Sequence, residues 1–200
     1  MSAEESTSTD LAEFFADGVD LLLDVAECIP AVGLSLKAAQ TYRRISDRLY
    51  IRKVEGFLNE ISKVTPQQRK DFYDREESSG QTERFGEAVI LILDKLDEMR
   101  KPPIIGRLMA AYMRGEITRE QAFRLSAAVN RAFYDDLLYL TKFVEGVQGE
   151  MEPAADSLFA LGLLSNRGLV AGTIDFNEPS ENGALYELSS YGRLLAKFIS

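Results

Sequence analysis

The side chains that perform most enzyme chemistry are scarce in this chain. Its 200 residues include no histidine and no tryptophan, and Cys28 is the only cysteine. This composition excludes a serine–histidine or cysteine–histidine catalytic pair, a histidine general base and a zinc site built from cysteine and histidine. No glycine-rich phosphate loop, Ser-x-x-Lys motif or pair of catalytic carboxylates stands out. We therefore expect a protein that is not an enzyme and that uses no cofactor.

Carboxylates offer one candidate for a metal site. Asp17, Asp20 and Asp24 are three and four residues apart, so a helix places them on one face, where their oxygens could hold a divalent cation. Most acidic helix faces are simply solvated, and we expect no metal here. The thiol of Cys28 stands beside apolar Ile29, which favours a buried and unreactive cysteine.

The negative charge of the chain is concentrated at its N-terminus. Lysine and arginine total 23 against 32 acids, a net charge of −9. Residues 1–36 contain eight acids and no base, so the other 164 residues carry a net charge of only −1. Because an acidic surface is repelled by phosphates, we expect nucleic-acid binding to be disfavoured and the partner to be a protein or a second copy of the chain.

Residues 10–28 form the clearest amphipathic pattern in the sequence. Asp10 with Glu13 resembles a capping box that begins a helix, and Pro30 ends it. One face carries apolar residues three and four positions apart, the spacing of helices packed side by side. We define this candidate association face as Leu11, Phe15, Leu22, Val25 and Ile29. Another face carries the acidic stripe, which consists of Asp10, Glu13, Asp17, Asp20, Asp24 and Glu27.

A second helical tract, at about 31–62, has a basic face. The basic stripe consists of Lys37, Arg44, Arg48 and Arg52, at steps of seven and four residues. These cations could bind a phosphate, a nucleic acid or an anionic lipid. Alternatively they could lie against the acidic stripe, in the same chain or in a symmetry mate, because the two stripes have matching spacing and opposite sign. We favour the contact with the acidic stripe, although each exposed ion pair contributes only about 0–1 kcal/mol.

Capping and helix-breaking residues predict four further helices before residue 150. Thr65-Pro66-Gln67-Gln68 begins a helix at 65–77, and a dense apolar centre marks one at 82–100. Lys101-Pro102-Pro103 predicts a turn before a short helix at 104–114. Thr118 with Gln121 predicts a long helix at 118–147, on whose buried face Phe133 and Val144 would lie.

The last fifty residues differ in composition and predict a small mixed module. Pro153 begins a helix that stops at Gly162, two strands at 168–176 and 185–188 flank a polar turn, and Ser189 caps a helix at 190–199. The runs LFALGLL at 158–164 and YELSSYGRLL at 186–195 resemble those of winged-helix modules. We predict a mostly α protein with a multi-helix body at 1–150 and a C-terminal winged-helix-like module (helix, β-hairpin, helix) at 151–200.

A winged helix raises the alternative of a transcription regulator. The helix that would read DNA, at 153–161, contains Asp156 but no lysine or arginine. Contacts to base edges and phosphates depend mainly on basic and amide side chains. We therefore favour a module that serves packing or dimerisation.

The order of features also resembles a family of helical bacterial proteins linked to phage exclusion, the abortive-infection alpha family. The shared features are an N-terminal amphipathic segment, the short apolar patch at 29–34, the arginine-rich helix and the leucine-rich C-terminal module. The resemblance implies a regulator or effector of bacterial anti-phage defence that acts through protein contacts. It brings no catalytic residues to this chain.

Membrane association is the remaining alternative. The first helix together with residues 28–36 could insert as a hairpin once activated, but Asp20, Asp24 and Glu27 make insertion expensive. Uncharged stretches reach about ten residues, half of the roughly 20 that a spanning helix requires. Residues 1–9 are acidic and rich in serine and threonine, the reverse of the basic start of a signal peptide. We expect a bacterial or phage cytoplasmic protein that does not engage a membrane in its resting state.

Overall fold

A computed structural model of the chain describes residues 45–78, 82–170 and 183–199. This part of the protein is mostly helical, with a three-stranded sheet near the C-terminus. Its eight α-helices and three strands are, in chain order, α1 Ile45–Ile61, α2 Pro66–Ser78, α3 Thr82–Lys95, α4 Lys101–Met113, α5 Arg119–Arg131, α6 Tyr134–Thr141, β1 Gly146–Val147, α7 Glu152–Ala160, β2 Leu164–Val170, β3 Gly183–Leu188 and α8 Ser190–Ile199.

Chain contacts group the residues into two compact units, Met1–Glu116 and Ile117–Ser200. The first unit is described from residue 45 onward and contains α1–α4. The second contains α5–α8 and the sheet. The division proposed from the sequence, at residue 150, stays a prediction.

Helix α4 is the centre of the first unit. Eleven of its thirteen residues are buried, and α1 packs along it through Val54, Phe57, Leu58 and Ile61. The two backbones come close at Gly106, where a Cβ would lie 2.6 Å from the carbonyl oxygen of Phe57. Glycine is therefore required here by the space available, because any side chain would strike backbone.

An aromatic cluster joins α2, α3 and α4. The ring centroids of Phe72 and Phe85 are 5.1 Å apart, and those of Phe72 and Tyr112 are 5.3 Å apart, both in edge-on arrangements. The Tyr112 hydroxyl donates a 2.5 Å hydrogen bond to Oε1 of the buried Glu76. The Arg75 guanidinium lies over the same rings and donates to the Tyr112 carbonyl oxygen at 3.2 Å. A buried carboxylate and phenol are thereby kept hydrogen-bonded inside an apolar core.

The turn predicted at Lys101-Pro102-Pro103 is wrong. These residues form the first turn of α4, while the helix predicted to reach residue 100 ends at Lys95. Proline is well suited to this position, because its fixed φ is helical and the first amide groups of a helix have no partner within it. The two prolines therefore begin a helix, and the chain turns just before them.

The long helix predicted at 118–147 is also wrong, although its beginning is confirmed. Thr118 and Gln121 form a capping box with bonds of 3.2 and 2.8 Å, and Thr65 with Gln68 forms another. The helix then breaks at Phe133, whose φ of −64° and ψ of 142° are extended. Phe133 and Val144 do not lie on a buried helix face, because Phe133 is the residue at the break and Val144 lies beyond the end of α6 at Thr141. They are 78% and 76% exposed.

The sheet of the second unit has the order β1-β3-β2, and both pairings are antiparallel. The sequence did not predict β1, which falls inside the segment assigned to the long helix and pairs Gly146 with Tyr186. Strand β2 begins at Leu164, four residues before its predicted start. The expected role of Gly162 is confirmed, since it ends α7 with a φ of 74°. Glycine is also required at residue 192, where a Cβ would overlap the Leu163 carbonyl.

We predict opposite effects for alanine at two glycines of the α1–α4 crossing. Gly106→Ala should lower the free energy of unfolding by about 1–3 kcal/mol, because its methyl group meets the Phe57 carbonyl. Gly56→Ala is the matched control, since its Cβ would lie 3.4 Å from Pro103 Cδ, an ordinary contact. That variant should be neutral or stabilised by about 0.5–1 kcal/mol in urea titrations. Equal effects of the two substitutions would contradict a close backbone crossing at Gly106.

Candidate interaction surfaces

The described part of the basic stripe lies on the open side of α1. Arg48 and Arg52 are exposed, and neither makes a hydrogen bond or ion pair with any residue in the described ranges. Leu49, between them on the same side, is 45% exposed. The pKa of nearby Glu55 is raised by partial burial, and the positive charge of Arg52 acts in the opposite direction. Lys37, Arg44 and the candidate association face lie outside the described residues.

Several other cations of the first unit are engaged by neighbouring oxygens. Lys53 Nζ donates to the carbonyl oxygen of Asp94 at 2.9 Å, near the end of α3. Glu60 receives both Lys63 and Arg107, at 2.6 and 3.4 Å. Arg48 and Arg52 differ from these residues, because their charges are left to solvent or to something outside the described chain.

Two further ion pairs show how local contacts fix the charge of carboxylates in this unit. Hydrogen bonds from Arg100 lower the pKa of Glu98 to about 2. A hydrogen bond from Arg114 lowers the pKa of Glu116. Both carboxylates are therefore ionised at neutral pH and keep their arginines occupied.

The helix that would read DNA, α7, presents acids. Its sequence contains Glu152 and Asp156 and no base. The Tyr186 hydroxyl, on β3, donates a hydrogen bond to Asp156, and this bond is the main reason why the pKa of Tyr186 rises to about 12. No sequence pattern predicts this pair, whose members are 30 positions apart. Asp156 thus positions α7 against the sheet, which is a structural role.

The arginines near the hairpin are also held by carboxylates. Arg167 Nε lies 2.6 Å from Glu187 across the β2–β3 pair, and Arg193 Nη2 lies 3.2 Å from Glu145. A phosphate would have to compete with these carboxylates for both cations. These two arginines are therefore poorly available to a phosphate.

The second unit also exposes several large apolar side chains. They are Phe133, Leu138, Val144, Val147, Met151 and Phe159. Three of the six fall between residues 144 and 151, beside β1, which is an edge strand of the sheet. Sequence reasoning had assigned Phe133 and Val144 to the core; the adjacent acids at the start of α6, Asp135 and Asp136, were the available signal for a helix start at this point.

Neither a metal cluster nor a membrane span is found in the ranges that the structure describes. There, no three residues among Cys, Asp and Glu are grouped so that they could hold an ion. The candidate ligands Asp17, Asp20 and Asp24 lie outside those ranges. No described helix combines the length and the apolar character needed to cross a bilayer.

No family model matches the chain, and no curated protein or solved structure matches it.

We predict that the full-length protein does not bind duplex DNA specifically. In a gel-shift titration at physiological salt, we expect no sequence-dependent complex, because α7 is acidic and the nearby arginines are paired. Any residual non-specific binding should weaken steeply between about 50 and 200 mM salt. Sub-micromolar binding that distinguishes one DNA sequence from another would overturn this prediction.

Proposed function

We propose that this protein is a non-enzymatic protein–protein interaction protein. The observation that carries the proposal is the set of exposed apolar side chains on the second unit, led by Phe133 and Val144 at 78% and 76% exposure. Aromatic and branched apolar groups left in water mark surfaces that are buried on association, since each Å² removed from water contributes about 25 cal/mol. Single exposed apolar residues are common, but several beside one edge strand support an interface.

We infer that the second unit is a winged-helix-like module used for packing or dimerisation. The support is its element order: helices α5 and α6, a short strand β1, helix α7, and then the antiparallel pair β2 and β3. In the order β1-β3-β2, the first strand pairs with β3 on the side opposite to β2, as in winged helices. The acids of α7 favour a protein partner or a second copy over DNA, so a transcription regulator is the weaker alternative.

The biological setting that we propose is anti-phage defence in bacteria, as a regulator or effector. The support is the resemblance in feature order to the abortive-infection alpha family. Within the described residues, α1 supplies the arginine-rich helix, and α7 with β2 supplies the leucine-rich C-terminal part. A membrane-perturbing effector is a second setting, which the acids of residues 10–27 disfavour.

The association proposal predicts a change of mass in light scattering. Deleting residues 1–28 should lower the mass of the assembly, because it removes the candidate association face. Phe133→Ser with Val144→Ser should lower it too, since both residues are exposed and their loss leaves the core intact. Leu91→Ser, which changes an apolar residue of the first unit that is 57% exposed, is the matched control and should not alter the mass.

If the deletion and the double variant both keep the assembly of the full chain, and both still capture the same partner from the native host, the association function is wrong. The exposed residues would then be ordinary surface side chains.

The defence proposal predicts a plating phenotype. Bacteria that express the chain should be infected less efficiently by at least one phage of a diverse panel, and Phe133→Ser with Val144→Ser should reduce this protection at equal expression. Equal plating of every phage on expressing and non-expressing cells would contradict the defence setting while leaving the interaction function to the scattering experiment.

A further inference from the structure

The open side of α1 carries positively charged and apolar residues, and the N-terminal part of the sequence carries the opposite charge. Arg48, Leu49 and Arg52 occupy that side, while Val54 and Leu58 face the core. The 44 residues that precede α1 contain the acidic stripe, and the chain enters α1 three residues before Arg48. The acidic stripe ends at Glu27, 21 residues before Arg48, and residues 28–44 contain bases but no acid. Neither Arg48 nor Arg52 forms an ion pair or hydrogen bond with a described residue.

We propose that residues 10–28 fold back along α1 as an antiparallel helix, with the acidic stripe against the basic stripe of the same chain. In an antiparallel hairpin, opposing residues are equally distant from the turn. Three acid–base pairs share a midpoint between Pro30 and Ala31: Asp24 with Lys37, Asp17 with Arg44, and Glu13 with Arg48. A fourth pair, Asp10 with Arg52, has its midpoint half a residue later, at Ala31. The midpoint coincides with the proline that ends the first predicted helix.

The order of charge and apolar groups around each helix selects the antiparallel direction. At about 100° per residue, turning in the helical sense from Arg48 and Arg52 on α1 leads to Leu49. Turning in the same sense from the acidic stripe leads to Phe14 and Leu21. Seen from one end, two antiparallel helices turn in opposite senses. When the acids face the arginines, Phe14 and Leu21 therefore lie on the same edge of the contact as Leu49. A parallel pair with the same acid–arginine contact would place Leu49 and the apolar groups of residues 10–28 on opposite edges of that contact.

In the proposed hairpin, the apolar groups of residues 10–28 fall into two sets, one that faces α1 and one that faces away from it. Phe14 and Leu21 lie beside the acids and turn toward Leu49. Leu11, Phe15 and Leu22 lie farther round the helix and stay on its outer side. These three belong to the candidate association face, so the hairpin presents that face to a partner; this consequence rests on the proposed function, whereas the hairpin itself does not.

Cross-linking of the full chain tests the register. In a Cys28→Ser background, Glu13→Cys with Arg48→Cys places two thiols at opposing positions, and a short bismaleimide should join them within one chain. Asp20→Cys with Arg48→Cys is the matched control, because Asp20 belongs to the same stripe but lies seven residues, about 10 Å, away along the helix. We expect the first pair to react about tenfold faster than the control, because the control thiols lie about 10 Å farther apart along the helix axis.

Equal rates for the two pairs would overturn the register. Cross-linked dimers in place of linked monomers would show that a second copy supplies the acidic segment, and would overturn the same-chain hairpin.

Charge reversal supplies a measurement that needs no cross-linker. Arg48→Glu should raise the hydrogen-exchange rate of residues 10–28 about threefold, and Glu13→Arg in the same chain should restore it. Asp20→Arg with Arg48→Glu should not restore it. Exchange that Arg48→Glu leaves unchanged would contradict the contact. A confirmed hairpin together with an unchanged assembly, both after deletion of residues 1–28 and in the variant Phe133→Ser with Val144→Ser, would refute only the association function.

Discussion

Helices α1 and α4 cross so closely that the Phe57 carbonyl occupies the space where residue 106 would otherwise carry a side chain. This approach fixes the two helices against each other and brings Phe57, Leu58 and Leu108 into a core without water. It also decides which side of α1 is left open, because a helix that buries Val54 and Ile61 must turn Arg48 and Arg52 outward. The exposure of Arg48 and Arg52 thus follows from the packing of α1 on α4, which the absence of a side chain at Gly106 permits.

The two units use their charges differently. In the first, acids such as Glu60 and Glu98 hold nearby cations, while the arginines near the start of α1 are left for other contacts. In the second, Arg167 and Arg193 are held by carboxylates, and Asp156 is bonded to Tyr186. Arginines that are paired in this way are poorly available to a phosphate, whereas exposed apolar groups such as Phe133 can be buried by a protein.

The break at Phe133 determines which apolar side chains of the second unit are exposed. Had α5 continued through residue 133, Phe133 and Val144 would have shared its buried stripe. Instead, the extended conformation at Phe133 ends one helix and a new helix, α6, begins at Tyr134. Helix α6 ends at Thr141, and the chain then forms β1 at Gly146–Val147. The same sequence of apolar residues therefore yields exposed side chains beside an edge strand, and these are the groups on which the proposed interaction depends.

Local chemistry could be read from the sequence alone. The absence of histidine excluded every site that requires an imidazole. The capping boxes Thr118–Gln121 and Thr65–Gln68 located helix starts, and Gly162 located a helix end. These capping signals can be read locally because each acts on backbone groups a few residues away. Lys101-Pro102-Pro103 was misjudged since proline is equally suited to a turn and to a first helical turn. Tertiary structure alone decided the pairing of Gly146 with Tyr186, the bond between Asp156 and Tyr186, and the exposure of Phe133. Each of these depends on residues distant in the chain or on the direction of the chain after a break, and a pattern of neighbouring residue types does not contain that information.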